Sequence, residues 1–132
     1  MKVQRTRNQE RILTLLKAVN RELSAQDIYV QLREGGQSMG LATVYRSLDA
    51  LKLDGALQVR ILASGESVYS SMQQDRHHLN CIQCGRSLAI GHDECPVHDL
   101  EDRLSVSHEF KIYYHTLEFY GLCDRCQAIQ DT

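Results

Sequence analysis

His78-Leu79-Asn80-Cys81-Ile82-Gln83-Cys84-Gly85 carries a Cys-x-x-Cys knuckle, and Leu122-Cys123-Asp124-Arg125-Cys126 carries a second, with 38 residues between Cys84 and Cys123. Two such pairs can close a four-sulfur tetrahedron around one zinc ion, leaving no position open for chemistry. The chain between them must then fold back so that the knuckles meet. A staple of this kind holds a small domain together, with apparent zinc energies of roughly 10–16 kcal/mol. An iron–sulfur cluster could use the same four ligands. Around the staple lies a second set of metal-capable side chains: His77 and His78 before the first knuckle, Cys95 and His98 between the two, and His115 before the second.

At 132 residues the chain suits one compact domain or two small ones. Its hydrophobic content of 42% is ordinary, and no apolar run is long enough to span a membrane. The first eleven residues are basic and polar, unlike a signal peptide, so a cytoplasmic location is expected. Thiols stay reduced there, and paired cysteines more often hold metal than form disulfides. Cys95, the odd one, is then a buried apolar residue, a reactive thiol or a ligand. The net charge of −2 hides a split. Residues 1–60 carry ten Lys/Arg against six Asp/Glu, net +4, while residues 61–132 carry five against eleven, net −6. A basic half that meets nucleic acid and an acidic half that does not would give this pattern.

The first half reads as three helices. Ile12, Leu13, Leu15, Leu16 and Val19 recur at helical spacing over residues 8–19. Ser24 with Asp27 three residues on looks like a helix start, and Ile28, Tyr29 and Leu32 form its inward stripe. A third helix over residues 41–53 turns Val44, Leu48 and Leu51 inward. Residues 57–61 and 67–69 are β-prone runs joined by Ala63-Ser64-Gly65-Glu66, a reasonable hairpin turn. Three helices and a hairpin are the order of a winged helix-turn-helix. A polar stretch at Met72-Gln73-Gln74 suits a hinge. Beyond it, residues 78–82 and 87–90 read as strands. Pro96 predicts a helix over residues 97–104 with Cys95 as N-cap, and residues 110–119 predict one long strand.

The third helix carries Thr43, Tyr45, Arg46, Ser47 and Asp49 away from its apolar stripe. A helix that reads the major groove needs such a face, where Arg can pair with guanine and an aromatic can contact thymine. Arg5, Arg7 and Arg11 could hold phosphates or enter the minor groove, and Arg60 in the wing could do the same. A merely solvated polar face would look similar on periodicity alone.

Gly40-Leu41-Ala42-Thr43-Val44-Tyr45-Arg46, then His78 to Gly85 as quoted above, then His115-Thr116-Leu117-Glu118-Phe119-Tyr120-Gly121 closely resemble the ferric uptake regulator family. The motifs stand in order over residues 6–126. The resemblance implies an α+β chain: an N-terminal winged helix-turn-helix domain, residues 1–71, and a small C-terminal α/β dimerisation domain stapled by zinc, residues 72–132. It implies a dimeric, metal-dependent transcription regulator that binds palindromic operator DNA, with Tyr45 and Arg46 as leading contacts and no catalysis, membrane or small-molecule substrate.

By the same resemblance, regulatory ligands are expected at the interdomain hinge and beside the dimerisation strands. At the hinge Glu22 and His78 match ligand positions, but Ser70, Arg76 and Ala89 stand where two carboxylates and a histidine are common. A hinge site is therefore expected to be absent or heavily altered. At the other site His77 and His115 match the strand positions, and His98 aligns with the helical carboxylate if two residues are inserted. Cys95 lies one turn before His98, so the two could converge on one ion. His77, Cys95, His98 and His115 would then make an N₃S tetrahedron, suited to zinc rather than ferrous iron. Asp75 competes for the fourth place; His92 reads as a loop histidine.

The resulting expectation is a zinc-responsive repressor, most like the family's zinc uptake regulators, with one structural and one regulatory zinc per subunit. An iron, manganese, nickel or peroxide sensor of the same family is the alternative. A zinc-dependent nucleobase deaminase would need Pro-Cys-x-x-Cys, whereas here Cys95 precedes Pro96. A zinc-ribbon module without DNA would leave the polar face of the third helix unexplained.

Overall fold

The computed structural model describes residues 4–72, 77–90 and 95–130. The chain forms two compact units, Met1–Gln74 and Asp75–Thr132. No helix among the described residues is long and apolar enough to cross a membrane.

The first unit begins with α1 (Arg7–Val19). Thr6 accepts a hydrogen bond from the Gln9 amide while the Gln9 side chain accepts from the Thr6 amide, which satisfies two otherwise orphaned donors. A short β1 (Leu23–Ser24) follows, then α2 (Ala25–Glu34), where Ser24 and Asp27 make the same reciprocal cap. α3 (Leu41–Leu53) leads into β2 (Leu57–Ile61) and β3 (Ser67–Ser71). The antiparallel sheet runs in the order β1-β3-β2. Gly65 sits in the hairpin turn at φ +90°, a conformation that strains any side-chain-bearing residue. Ile12, Leu16, Leu23, Ile28, Val44, Leu48 and Leu57 are fully buried in one core shared by all three helices and the sheet. The helical stripes legible in the sequence are its source. β1, only two residues long, carries no periodic signal and is not foreseen.

The second unit contains β4 (His77–Cys81), β5 (Ser87–Ile90), α4 (His98–His108), β6 (Leu117–Gly121) and α5 (Asp124–Gln130). β4 is central: it pairs antiparallel with β5 and parallel with β6, in register from His77 opposite Leu117 to Cys81 opposite Gly121. The long strand expected over residues 110–119 is confined to Leu117–Gly121, because β6 extends only along the residues of β4 that pair with it. α4 starts at His98 with Val97 as its cap residue, not at Val97 behind a Cys95 cap. The Cys95 sulfur faces two histidine rings instead of the helix amides.

The two interiors differ in kind. Among the described residues of the second unit the buried ones are His77, His78, Cys81 and Cys126, and no aliphatic side chain joins them. Leu79, Leu88, Leu100, Leu104 and Phe119 are all at least two-fifths exposed. So small a unit cannot hold itself together by an apolar core and requires metal or a partner surface.

Two candidate metal centres

The first cluster grows from the hairpin. Cys81 ends β4, and the turn to β5 places Cys84 near it, with the Gly85 amide donating to the Cys81 carbonyl at 3.1 Å. Gly85 makes that turn at φ +80°. Across the sheet the Ile82 amide donates to the Gly121 carbonyl at 2.9 Å, which brings the chain after β6 alongside the knuckle. Cys123 follows β6, and Cys126 lies in α5 with a relative exposure of 5%. The four sulfurs lie within 4.8 Å of one another.

Their chemistry suits a divalent cation. The backbone amide of Cys84, then that of Cys123, holds the Cys81 thiol down at about 6. Cys123 is lowered by the Cys126 amide, while its hydrogen bond to Cys126, with burial, pushes Cys126 up to about 12. Sulfurs this close cannot all become thiolates unless a cation compensates them. Cys84 and Cys123 stand 3.7 Å apart, sulfur to sulfur. Zinc–sulfur bonds of about 2.3 Å at tetrahedral angles give an edge of about 3.8 Å.

The second cluster lies at the other end of β4. Nε2 of His77 and Nε2 of His115 are 3.2 Å apart, and Cys95 Sγ is 3.6 Å from the former and 3.1 Å from the latter. Tetrahedral bonds of about 2.0–2.3 Å give edges of about 3.3–3.6 Å, which the first two separations approach and the third falls short of. His77 is buried, while Cys95 and His115 are half-buried. Glu101, in the first turn of α4, binds Nδ1 of His115 through Oε2.

His98 is not brought into this cluster: its exposed ring meets the His115 ring edge-on, with centroids 5.5 Å apart. The shifted start of α4 is the reason, since Cys95 and His98 no longer share a helical turn. The helical carboxylate at the site is Glu101, three residues later. Sequence reasoning missed it by aligning His98 there, and nothing in the run Asp99, Glu101, Asp102 marks which acid turns inward. Asp75 and His92 lie outside the described residues, as does Arg76.

Glu22 and His78, the two residues matching a hinge site, each have a partner within their own unit. Glu22 receives a bidentate salt bridge from Arg60, and His78 Nδ1 lies 3.1 Å from Glu118 Oε2. Arg60, expected as a phosphate contact in the wing, has a side chain only 10% exposed, with its fork on Glu22.

On α3, Tyr45, Arg46 and Asp49 are exposed, and Arg46 donates to Thr43 Oγ1 at 3.2 Å. Ser47, expected on that polar face, is buried beside the apolar stripe. Arg7 is exposed at the start of α1, and Arg5 forms exposed ion pairs with Asp54 and Glu10.

Comparison with known proteins places these features in company. Residues 1–120 match the model of the Ferric uptake regulator family. The zinc uptake regulation protein of Mycobacterium tuberculosis is 34% identical over 127 residues, covering 96% of each chain. The ferric uptake regulation protein of Neisseria gonorrhoeae is 35% identical over 113 residues, 85% of this chain and 77% of that one. Among solved structures, a zinc uptake regulator complexed with zinc and DNA aligns with a TM-score of 0.52 at 25% identity, over 98% of this chain and 87% of the other.

Proposed function

Since the chain belongs to the ferric uptake regulator family, whose members are transcription regulators and not enzymes, we propose that it is a zinc-responsive repressor that binds palindromic operator DNA as a homodimer. The observation that carries the metal assignment is the His77, Cys95 and His115 cluster, two imidazoles and one thiol converging within 3.6 Å. A thiolate in the donor set favours zinc over ferrous iron or manganese, which prefer oxygen-rich sites. The likeness to a mycobacterial zinc uptake regulation protein supports the same choice. A zinc ion there would be held by His77, Cys95 and His115 and would supply the positive charge that draws the three donors together.

The rest of the reading assigns roles to the chain. The first unit is a winged helix-turn-helix: α3 offers Thr43, Tyr45 and Arg46 to base edges, Arg7 and Arg5 lie toward the backbone, and β2–β3 form the wing. Cys81, Cys84, Cys123 and Cys126 hold the structural zinc of the second unit. That unit also dimerises, burying an apolar row in which Leu79 stands opposite both Leu88 and Phe119. Closing His77, Cys95 and His115 on one ion ties β4 to the segments before α4 and β6. The switch then follows from tighter zinc binding by the DNA-fit state, with coupling of about 1–3 kcal/mol. A bacterial regulator of this kind works in the cytoplasm.

The test is DNA-binding anisotropy with a palindromic operator at fixed salt, against buffered free zinc, iron and manganese. A steep response to zinc alone at low free concentration is expected. A response to iron or manganese alone would overturn the zinc assignment, and salt-insensitive or absent DNA binding would overturn the repressor.

A further inference from the structure

The buried stripe of α3 fixes what the helix shows to solvent. Val44, Ser47, Leu48 and Leu51 are buried. At 3.6 residues per turn the opposite side falls on Ala42, Arg46, Asp49 and Leu53, all exposed, with Tyr45 exposed beside them. Asp49 thus stands one turn after both Arg46 and Tyr45, on the face they share. We propose that Asp49 is a specificity-determining residue of the DNA interface: its carboxylate accepts from the N4 amino group of a cytosine in the major groove. The proposal rests on the reading of α3 as the helix that enters that groove.

An arginine three residues away is the natural partner of a helical aspartate. Here Arg46 is turned the other way, with Nη2 donating to Thr43 Oγ1 at 3.2 Å, toward the start of the helix. Among the described residues no hydrogen bond or ion pair takes up the Asp49 carboxylate. Its charge is felt behind the helix by Tyr69 of β3, whose phenol is pushed above its ordinary pKa by burial first, then by Asp49 and by Tyr45. Tyr45 and Asp49 therefore flank the same point of the core. A carboxylate on this face is repelled by the phosphates that line the groove, so a donor on a base has to offset it. The groove offers two such donors, the amino groups of cytosine and adenine. Adenine sets its N7 acceptor beside the amino group, and guanine and thymine present only acceptors there, so cytosine is the base that matches. Three residues rise about 4.5 Å along a helix, against about 3.4 Å per base step. The base met by Asp49 then lies one or two pairs from the one met by Arg46.

The test uses the full-length, zinc-loaded chain and a randomised duplex library at fixed salt, with wild type, Asp49→Ala, Asp49→Asn and Arg46→Ala. Sequencing reads what each selects, and anisotropy reads affinity for single-base variants of the best site. Wild type is expected to select cytosine at one position per half-site, within two pairs of the position that Arg46→Ala relaxes. Asp49→Ala is expected to lose that preference alone, a fall of about 5–150-fold in discrimination. Asp49→Asn, whose amide suits adenine N6 and N7, is expected to move the position from cytosine towards adenine. Equal tightening on every sequence in Asp49→Ala, with preferences unchanged, would make Asp49 a bystander charge and overturn the proposal. Preferences lost at all positions together would make it a support of the helix and overturn it as well. A wild type that selects a sequence, but none that depends on residue 49, would sink this assignment alone. A wild type that binds no duplex would sink the DNA reading with it.

Discussion

Arg60 holds both carboxylate oxygens of Glu22, with Nε donating to Oε2 at 2.8 Å and Nη2 donating to Oε1 at 2.7 Å. The pair joins strand β2 to the residue just before β1, 38 positions apart in the chain. Its geometry is the planar fork that arginine alone offers, and little water reaches it. The pair fastens β2 to the segment between α1 and β1.

Arg60→Ala is therefore expected to destabilise the first unit by about 2–3 kcal/mol, between the values for exposed pairs and for buried ones. Urea denaturation of the full chain, followed by a signal from the first unit, measures this. Arg60→Lys is expected to recover only part, because an ammonium cannot make both bonds. A change below about 0.5 kcal/mol in Arg60→Ala would mean the pair is effectively solvated.

Removing the structural metal should act on the other unit. Cys81→Ser is expected to cost both zinc ions per chain, since the second cluster lies in the same unit, and to abolish ordered amide signals from that unit while leaving those of the first. Metal analysis with amide NMR is the check. The prediction follows from an interior that, among the described residues, consists of His77, His78, Cys81 and Cys126, with no aliphatic residue to take over.

His77→Ala and His115→Ala are expected to keep the fold and the dimer but to lose zinc-dependent operator binding. His98→Ala is expected to change the half-saturating zinc concentration by less than about threefold, since the ring lies outside the converging group. If His98→Ala were as damaging as His77→Ala in the same anisotropy titration, the fourth ligand would be His98 after all.

Phe119→Glu is expected to weaken self-association by at least about 100-fold, as burying an unpaired charge in an apolar interface costs several kcal/mol. Light scattering over a concentration series reads the effect, with Thr116→Glu, exposed ahead of β6, as a comparison that should stay dimeric. On the DNA side, Arg46→Ala is expected to cost about 1–3 kcal/mol and to relax base preference, whereas Arg7→Ala should weaken all sequences alike and reduce the salt slope by about one.

What could be read in the sequence divides along the two interiors. The first unit follows from repetition: Ile12, Leu16, Ile28, Leu32, Val44 and Leu48 recur at helical spacing, and their burial needs no other information. The cysteine pairs were equally plain, since their spacing is itself the geometry of a knuckle. The rest of the second unit depends on register, which no local pattern carries. That Cys95 meets His115, that Glu101 and not His98 is the acid-side neighbour of that ring, and that Glu118 reaches His78 follow from how β6 and α4 are set against β4. The pairing of Arg60 with Glu22 is illegible for the same reason: the two lie 38 residues apart.

β4 carries a cysteine of one cluster at its last residue and a histidine of the other at its first, and its pairing with β6 runs unbroken between them. On the proposed reading this imposes an order of uptake. Until the four cysteines have captured an ion, the alignment that presents His77 to the chain before Leu117 has nothing to hold it, so each newly made molecule must withdraw one zinc from the cell before it can gauge the next. The regulator is then a consumer of what it measures. The number of copies synthesised sets a floor on the zinc that has to be present before any repression begins.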